Sequence, residues 1–246
     1  MADPIRLLIH GASGRMGRAL LRLAADDARF DVVAAVSRSG AAIESASVPV
    51  FAGAAVADIP AFDVAVDFSL PAALPALLAL CEARGAALVS GTTGLDPELR
   101  TRMAQAAHSI PLLWASNFSL GIVLLEELLR RAGSAVPWPV SITEIHHVHK
   151  LDAPSGTAIT LAAAAAQAQG HTPQIESIRE GEVVGTHRIR LQGPGETLEL
   201  GHVASDRDIF ARGALEAAAK LAGRGAGAWT LPQLLFGGKN AGQADD

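Results

Sequence analysis

The feature that most constrains the fold is the opening strand–turn–helix–strand pattern. Ile5 to Ile9 is an unbroken apolar run ending in His10-Gly11. Gly11-Ala-Ser-Gly-Arg-Met-Gly17 then leads into Arg15 to Ala25, where apolar residues recur at helical spacing. Val32 to Val36 follows, β-branched and alanine-rich, and stops at Ser37-Arg38-Ser39-Gly40. Such a unit buries its strands only in a parallel sheet joined by right-handed crossovers.

The rhythm repeats. Val64 to Phe68 reads as a third strand and Ala72 to Ala83 as a helix; Ala86 to Val89 leads into Ser90-Gly91-Thr92-Thr93-Gly94. A helix over Pro97 to Ala107 precedes Leu112 to Ala115, which runs into Ser116-Asn117-Phe118. Past residue 119 the elements change. Leu120 to Arg131 is an amphipathic helix, and Val140 to Thr143 alternates as a strand until the alternation blurs at Glu144. Thr157 to Gln169 is alanine-rich and helical. His187 to Leu191 and Thr197 to Leu200 alternate about Gly193-Pro194-Gly195, the pattern of antiparallel strands joined by a turn. Phe210 to Leu221 is a last long helix, and the polar, glycine-rich tail after Gly237 is expected to be mobile. The expected fold class is therefore α/β, with a parallel-sheet domain and a smaller mixed α/β domain.

Composition narrows the function. Half of the 246 residues are hydrophobic and few are aromatic, the profile of a soluble α/β protein. A net charge of −5 argues against broad nucleic-acid binding, so any anion site must be a local concentration of positive charge. The lone cysteine, Cys81, excludes an intrachain disulfide and a cysteine-based zinc site. The N-terminus lacks a basic-then-apolar signal profile, and no run of about 18 apolar residues suggests a membrane span. A cytoplasmic setting is the expectation.

The glycine turn suits a dinucleotide: glycines let the backbone approach a pyrophosphate, and the helix N-terminus offers free N–H groups. Its spacing is GxxGxxG, with Ser13 where the usual motif has its middle glycine. A tight turn without a ligand is the plainer alternative. About 20 residues beyond such a loop a carboxylate binds the ribose of NAD, whereas an arginine accommodates the 2′-phosphate of NADP. Here that place holds Ser37 and Arg38, while Asp31 lies at the other end of the strand. NADPH is therefore expected to be accepted and preferred, NADH to be the lesser cofactor, and a glutamate at position 37 to favour NADH. Gly91, Thr92 and Thr93, and Ala115, Ser116, Asn117 and Phe118, follow the carboxyl ends of parallel strands, where ligands bind. Ordinary turn and capping chemistry is the alternative.

The second cluster is Glu144-Ile-His-His-Val-His-Lys-Leu-Asp-Ala-Pro-Ser-Gly-Thr157. A metal is disfavoured, because Lys150 is a poor neighbour for a divalent cation and a third ligand is wanting, although His147 and His149 would share a face if strand geometry persisted. Proton transfer and anion binding fit better. An imidazole titrates near neutral pH, Lys150 adds charge and donors, and Ser155 could cap a helix whose first N–H groups face an anion.

The same segment resembles the signature of the dihydrodipicolinate reductase family. The family's glycine loop is similar to Gly11–Gly17, including Arg15-Met16-Gly17, and its Gly-Thr-Thr and Asn-Phe-Ser segments resemble Gly91–Thr93 and Asn117–Ser119. Order and spacing agree over nearly the whole chain. The resemblance implies a Rossmann-type domain over residues 1–118 with 207–246, and a substrate-binding and tetramerisation domain over 119–206, in a homotetramer. It implies the NAD(P)H-dependent reduction of 4-hydroxy-tetrahydrodipicolinate, a small dicarboxylate, in lysine and diaminopimelate synthesis. His146 would be the proton donor or acceptor, Lys150 a second donor, His147 a substrate contact, and Gly156 and Thr157 a carboxylate site; His149 would be structural only. Gly11, Ala12, Ser13, Gly14, Arg15 and Met16, with Gly91 to Thr93 and Ala115 to Phe118, would line the cofactor, and no metal is expected. The chain departs from NADH-using members at Ser37, often acidic there, and from many members in its shorter stretch around Gly170 to Gly185. Three rivals remain open on the residues alone: another two-domain nicotinamide dehydrogenase, a nucleotide-sensing regulator and a zinc-binding module.

Overall fold

A computed structural model of the chain describes residues 3–44, 47–53 and 58–237; the tail after Gly237, expected above to be mobile, lies outside them. In chain order the elements are β1 (Ile5–His10), α1 (Arg15–Ala25), β2 (Phe30–Ser37), β3 (Val50–Ala52), β4 (Val64–Asp67), α2 (Leu74–Arg84), β5 (Ala87–Ser90), α3 (Pro97–Ala106), β6 (Pro111–Trp114) and α4 (Leu120–Ala135). There follow β7 (Val140–His146), α5 (Gly156–Gln169), β8 (Gln174–Arg179), β9 (Gly185–Gly193), β10 (Glu196–Ala204), α6 (Asp208–Leu221), β11 (Gly227–Trp229) and α7 (Leu231–Phe236). They form two compact units: Met1–Phe118 with Phe210–Asp246, and Ser119–Ile209.

The first unit is built on a seven-stranded sheet in the order β11-β6-β5-β4-β1-β2-β3, with every neighbour parallel. Leu7, Leu8 and Ile9 of β1 are fully buried, and every residue of β4 and β5 is buried. Strands covered on both faces read as continuous apolar runs, which is why these were legible without alternation. The order reverses between β1 and β4, so the crevice outside their carboxyl ends is the natural place for a ligand.

Two strands of this sheet carry no signal of their own. β3 and β11 have three residues each, too few for a period to show, so the run at Val64 is the fourth strand and not the third. The helical run expected from Ala72 opens as a 3-10 turn over Pro71–Ala73; the α-helix starts at Leu74, with Pro75 in its first turn, and ends at Gly85. Asp96 caps α3 by accepting from the Leu99 N–H at 2.7 Å.

The second unit is a four-stranded sheet ordered β10-β9-β7-β8. β8, which the sequence did not announce, is parallel to β7, while β7–β9 and β9–β10 are antiparallel. The β9–β10 hairpin turns on Pro194-Gly195, with Gly195 at φ 78°, the left-handed position that a type II turn behind proline requires. β7 runs beyond the expected Thr143 to His146. Val140, Ile142, Glu144 and His146 alternate with more exposed residues and share the buried face, so the period persists and only the polarity changes. Against the sheet pack Ile122, Leu125 and Leu129 of α4 and Leu161 and Ala165 of α5, with Ile142, Ile189 and Leu191 beneath them.

One close contact completes the first unit. Gly213 of α6 lies so near the end of the β6 segment that a Cβ there would sit 1.7 Å from the Phe118 carbonyl oxygen. Gly213→Ala should lower the unfolding free energy by at least about 2 kcal/mol through overpacking. Urea unfolding of this variant beside Gly225→Ala, where an added Cβ meets nothing within 4 Å, provides the check. Equal midpoints would refute the account.

Candidate active site

In the first unit, the stretches proposed to meet a cofactor all leave the carboxyl edge of the parallel sheet: Gly11 to Met16 after β1, Ser37 and Arg38 at the end of β2, Gly91 to Thr93 after β5, and Ala115 to Phe118 after β6. Gly11 has φ 76°, and a Cβ on it would lie 2.5 Å from the Phe68 carbonyl oxygen. A Cβ on Gly17 would lie 2.3 Å from the Gly11 carbonyl oxygen, so α1 is pressed onto the loop. Gly14 stands at the start of α1 with no side-chain cap, which leaves the helix's first N–H groups without a side-chain acceptor. Ser13 and Arg15 are exposed, Met16 is half-buried and Ala12 is buried.

The edge also holds residues that motif reading missed. Phe68 follows β4, packs against Phe118 with ring centres 5.4 Å apart and planes tilted by 60°, and fills the space beside Gly91, where a Cβ would come within 2.2 Å of its ring. Below it lies a buried polar row in strand register, His10, Asp67 and Ser90. Asp67 bonds His10 Nδ1 at 2.7 Å and accepts from the hydroxyls of Ser90 and Thr92, each at 2.8 Å. Burial pushes the Asp67 carboxyl up, but its hydrogen bonds to His10, Ser69 and Thr92 outweigh this and hold it below its ordinary range. The Thr92 hydroxyl is thus committed inward, and its carbonyl accepts from Trp114 Nε1 at 2.8 Å; Thr93 and Ser116 are the exposed members of their loops.

The two residues at the end of β2 differ in a way the sequence conceals. Ser37 is 4% exposed and its Oγ accepts from the Gly40 N–H at 3.1 Å. A glutamate there replaces the hydroxyl that holds this turn, so the variant expected to favour NADH alters the turn contact as well as the charge. Arg38 is exposed and is the side chain free to reach a phosphate.

In the second unit, β7 delivers Glu144 and His146 to the buried face. His146 Nδ1 bonds Glu144 Oε2. Glu144 Oε1 accepts from Arg179 Nη2 at 2.9 Å and from the Ser155 N–H at 3.3 Å. Arg179, at the end of β8, also donates to the carbonyls of Lys150 and Asp152. Burial pushes the Glu144 carboxyl up; Arg179, Ser177 and His146 overcome it and hold the group ionised below its ordinary range. For His146, burial disfavours the cation, Glu144 opposes that effect, and the balance lies below the ordinary imidazole value.

The strand stops at His146, so His147 and His149 do not share a strand face. His147 is half-buried with its N–H bonded to the Val183 carbonyl at 2.7 Å; His149 is exposed, 3.8 Å from Glu182. Lys150 is half-buried, with Nζ 2.7 Å from Asp152. Ser155 caps α5 by accepting from Ala158 N–H at 3.2 Å, so Gly156 and Thr157 form the helix's first turn, as the sequence suggested. Among the described residues there is no group of three or more His, Cys, Asp or Glu that could hold a metal.

His187 was not singled out, although the alternation of His187, Ile189 and Leu191 in β9 placed it inward. It is 4% exposed, edge-on to His146 at 5.3 Å, and its Nδ1 is buried with no partner among the described residues. Gly185, on the same strand, leaves room beside His146: a Cβ there would lie 3.1 Å from Nε2. Burial, with the nearby His146 and His202, pushes the His187 pKa down from 6.5 to about 4. The folded state therefore resists a proton that the unfolded chain takes up below pH 6.5. Stability is present above that pH and is lost as the pH falls from about 6.5 toward about 4. His187→Gln should flatten this part of the curve. Urea unfolding of both proteins at pH 7 and pH 4.5 tests it, and identical pH dependence would count against a neutral buried imidazole.

Family models match both units. The model described as dihydrodipicolinate reductase, N-terminus, covers residues 5–118, and that described as dihydrodipicolinate reductase, C-terminus, covers 121–235. The 4-hydroxy-tetrahydrodipicolinate reductase of Xanthomonas campestris pv. campestris (strain B100) is 53% identical over 236 residues, spanning 95% of this chain and 99% of that one. The enzyme of the same name from Stenotrophomonas maltophilia (strain R551-3) is 54% identical over 235 residues, spanning 94% and 98%. Among solved structures, dipicolinate-bound dihydrodipicolinate reductase from Paenisporosarcina sp. TG-14 superposes with a TM-score of 0.82 at 25% identity, covering 92% of this chain and 97% of that one. Diaminopimelate dehydrogenase of C. glutamicum, at 17% identity and a TM-score of 0.60, covering 94% of each chain, shares the fold.

Proposed function

This chain belongs to the dihydrodipicolinate reductase family, and we propose that it reduces 4-hydroxy-tetrahydrodipicolinate to tetrahydrodipicolinate with NAD(P)H and loss of water, in diaminopimelate and lysine synthesis. The observation that carries this reading is the segment from His146 to Thr157, which joins an imidazole, an ammonium and a capped helix start. A substrate with two carboxylates suits that combination: one docks at the helix start formed by Gly156 and Thr157, taking the place of the Asp152 carboxylate that bonds the Gly156 N–H, and His147 contacts the substrate beside it.

The turn between β1 and α1 fits a nicotinamide dinucleotide. Gly11 and Gly17 exclude side chains from the turn, and the start of α1 at Gly14 leaves backbone N–H groups for a pyrophosphate. When bound, the reduced nicotinamide supplies the hydride. The chain supplies binding, orientation and protons. His146, bonded to Glu144 through Nδ1, delivers a proton from Nε2 to the ring carbon beside the reduced one. Lys150 is the second proton donor, and its charge stabilises anionic character as it develops. Arg38 binds the 2′-phosphate, so NADPH is preferred to NADH.

The oligomer we propose is a homotetramer built on the four-stranded sheet. The exposure of Leu198 and Val203 on edge strand β10 supports it, since exposed apolar residues on a strand edge invite cover. A cytoplasmic setting is supported by the free, buried thiol of Cys81. Among the described residues, no helix is long and apolar enough to cross a membrane.

The decisive assay is oxidation of NADPH with freshly generated 4-hydroxy-tetrahydrodipicolinate, repeated with NADH. His146→Ala and Lys150→Ala should each lower kcat about 100-fold while NADPH affinity, read by fluorescence titration, is unchanged. Near-normal turnover in both variants would sink the proton-transfer assignment. Arg38→Ala should raise the KM for NADPH about tenfold and leave that for NADH within about twofold. Equal changes for the two cofactors would contradict the phosphate contact.

A further inference from the structure

We propose that Glu144 is the positioning residue of this site: its carboxylate fixes the tautomer of His146, making Nε2 the nitrogen that carries the transferred proton, and through Arg179 it holds the loop bearing Lys150. The inference rests on the reading of His146 as the proton donor.

The geometry runs in steps. Glu144 is fully buried, and a carboxylate can only accept hydrogen bonds. Its Oε2 bonds His146 Nδ1, so that nitrogen must carry the hydrogen. In the neutral ring the lone pair is then left on Nε2, and in the imidazolium Nε2 carries the second proton. Gly185 is the residue that would crowd Nε2 if it had a side chain, and it has none. The nitrogen freed for chemistry is thus the one with space around it.

The other carboxylate oxygen binds the rest of the segment. Oε1 accepts from the Ser155 N–H, at the cap of α5, and from Arg179 Nη2. Arg179 Nε in turn donates to the Lys150 carbonyl at 3.3 Å, and Nη2 to the carbonyl of Asp152. One buried charge therefore connects the histidine, the lysine loop and the helix start proposed to hold a substrate carboxylate. Motif comparison would leave Glu144 as one more polar residue before the histidines; its burial and its three partners distinguish it.

The charged and titratable groups facing His146 are Glu144 on β7, Lys150 in the following loop, Arg179 on β8 and His187 on β9. Of these, only Glu144 favours the imidazolium. Removing its charge makes His146 lose its proton at lower pH. Because the donor form is the protonated one, the alkaline limb of the kcat profile should move to lower pH.

The test uses full-length protein with NADPH and the hydroxylated dicarboxylate substrate. Glu144→Gln should lower kcat about 100-fold, with the KM for NADPH unchanged. The alkaline limb should move down by about one pH unit. Glu144→Asp, which keeps the charge but shortens its reach, should recover part of the rate and restore the limb. Ring 15N NMR, with His146 assigned by its disappearance in His146→Gln, should report hydrogen on Nδ1 in the neutral wild-type ring. That measurement needs no variant at Glu144 to fold, and a neutral ring protonated on Nε2 overturns the proposal. So does Glu144→Gln with wild-type kcat and limb while His146→Gln is impaired. Wild-type turnover in His146→Gln instead overturns the proton-donor reading on which the proposal rests.

Discussion

A single buried carboxylate governs the second unit. Glu144 occupies a core-facing position of β7, in line with Val140 and Ile142, where a charge without partners would be intolerable. Its environment answers with an imidazole from the same strand, and with a guanidinium and a backbone N–H from two further stretches of chain. Removing one partner of such an arrangement typically costs about 3–5 kcal/mol, because the remaining charge is stranded. The geometry of the site is therefore tied to the stability of the unit: the segment from His146 to Ser155 cannot drift without leaving Glu144 unsatisfied.

The first unit solves a similar problem in a similar way. Asp67, also fully buried, ends the central strand β4 and gathers His10 from β1 and Ser90 and Thr92 from the end of β5. The contacts lie across strands in register, so they lock the heights of three strand ends relative to each other. Loops that leave those ends inherit the alignment. In each unit, an acid below the surface ties down the backbone above it through hydrogen bonds to several chain segments.

The sequence disclosed what depends on local periodicity and fixed spacing. The buried runs of β1, β4 and β5, the glycine turn, the Pro194-Gly195 hairpin and the Ser155 cap were all legible, since each is decided within a few residues. β3 and β11 were not, because three residues carry no period and both strands exist only through pairing with β2 and β6. Glu144 blurred the alternation of β7 because a charge stood where an apolar residue was expected, and the partner that permits it, Arg179, lies 35 residues away. Ser37 and Arg38 were adjacent letters of equal promise; only burial separates the one held in a turn from the one facing solvent. Of the candidate site, the residue types were readable and the supporting partners were not.

The contact between Gly213 and the Phe118 carbonyl has a consequence in time. The first unit is made of two stretches, with all of the second unit encoded between them. Synthesis runs from the N-terminus, so β1 through β6 leave the ribosome long before α6 and β11 exist. Until those last elements emerge, β6 is an open edge carrying Leu112 and Leu113. The second unit, though it begins later, is the first whose every element is available. The segment from His146 to Thr157 is thus free to form on a nascent chain whose first unit is still unfinished, and the exposed edge of β6 is the surface a chaperone would have reason to cover in the interval.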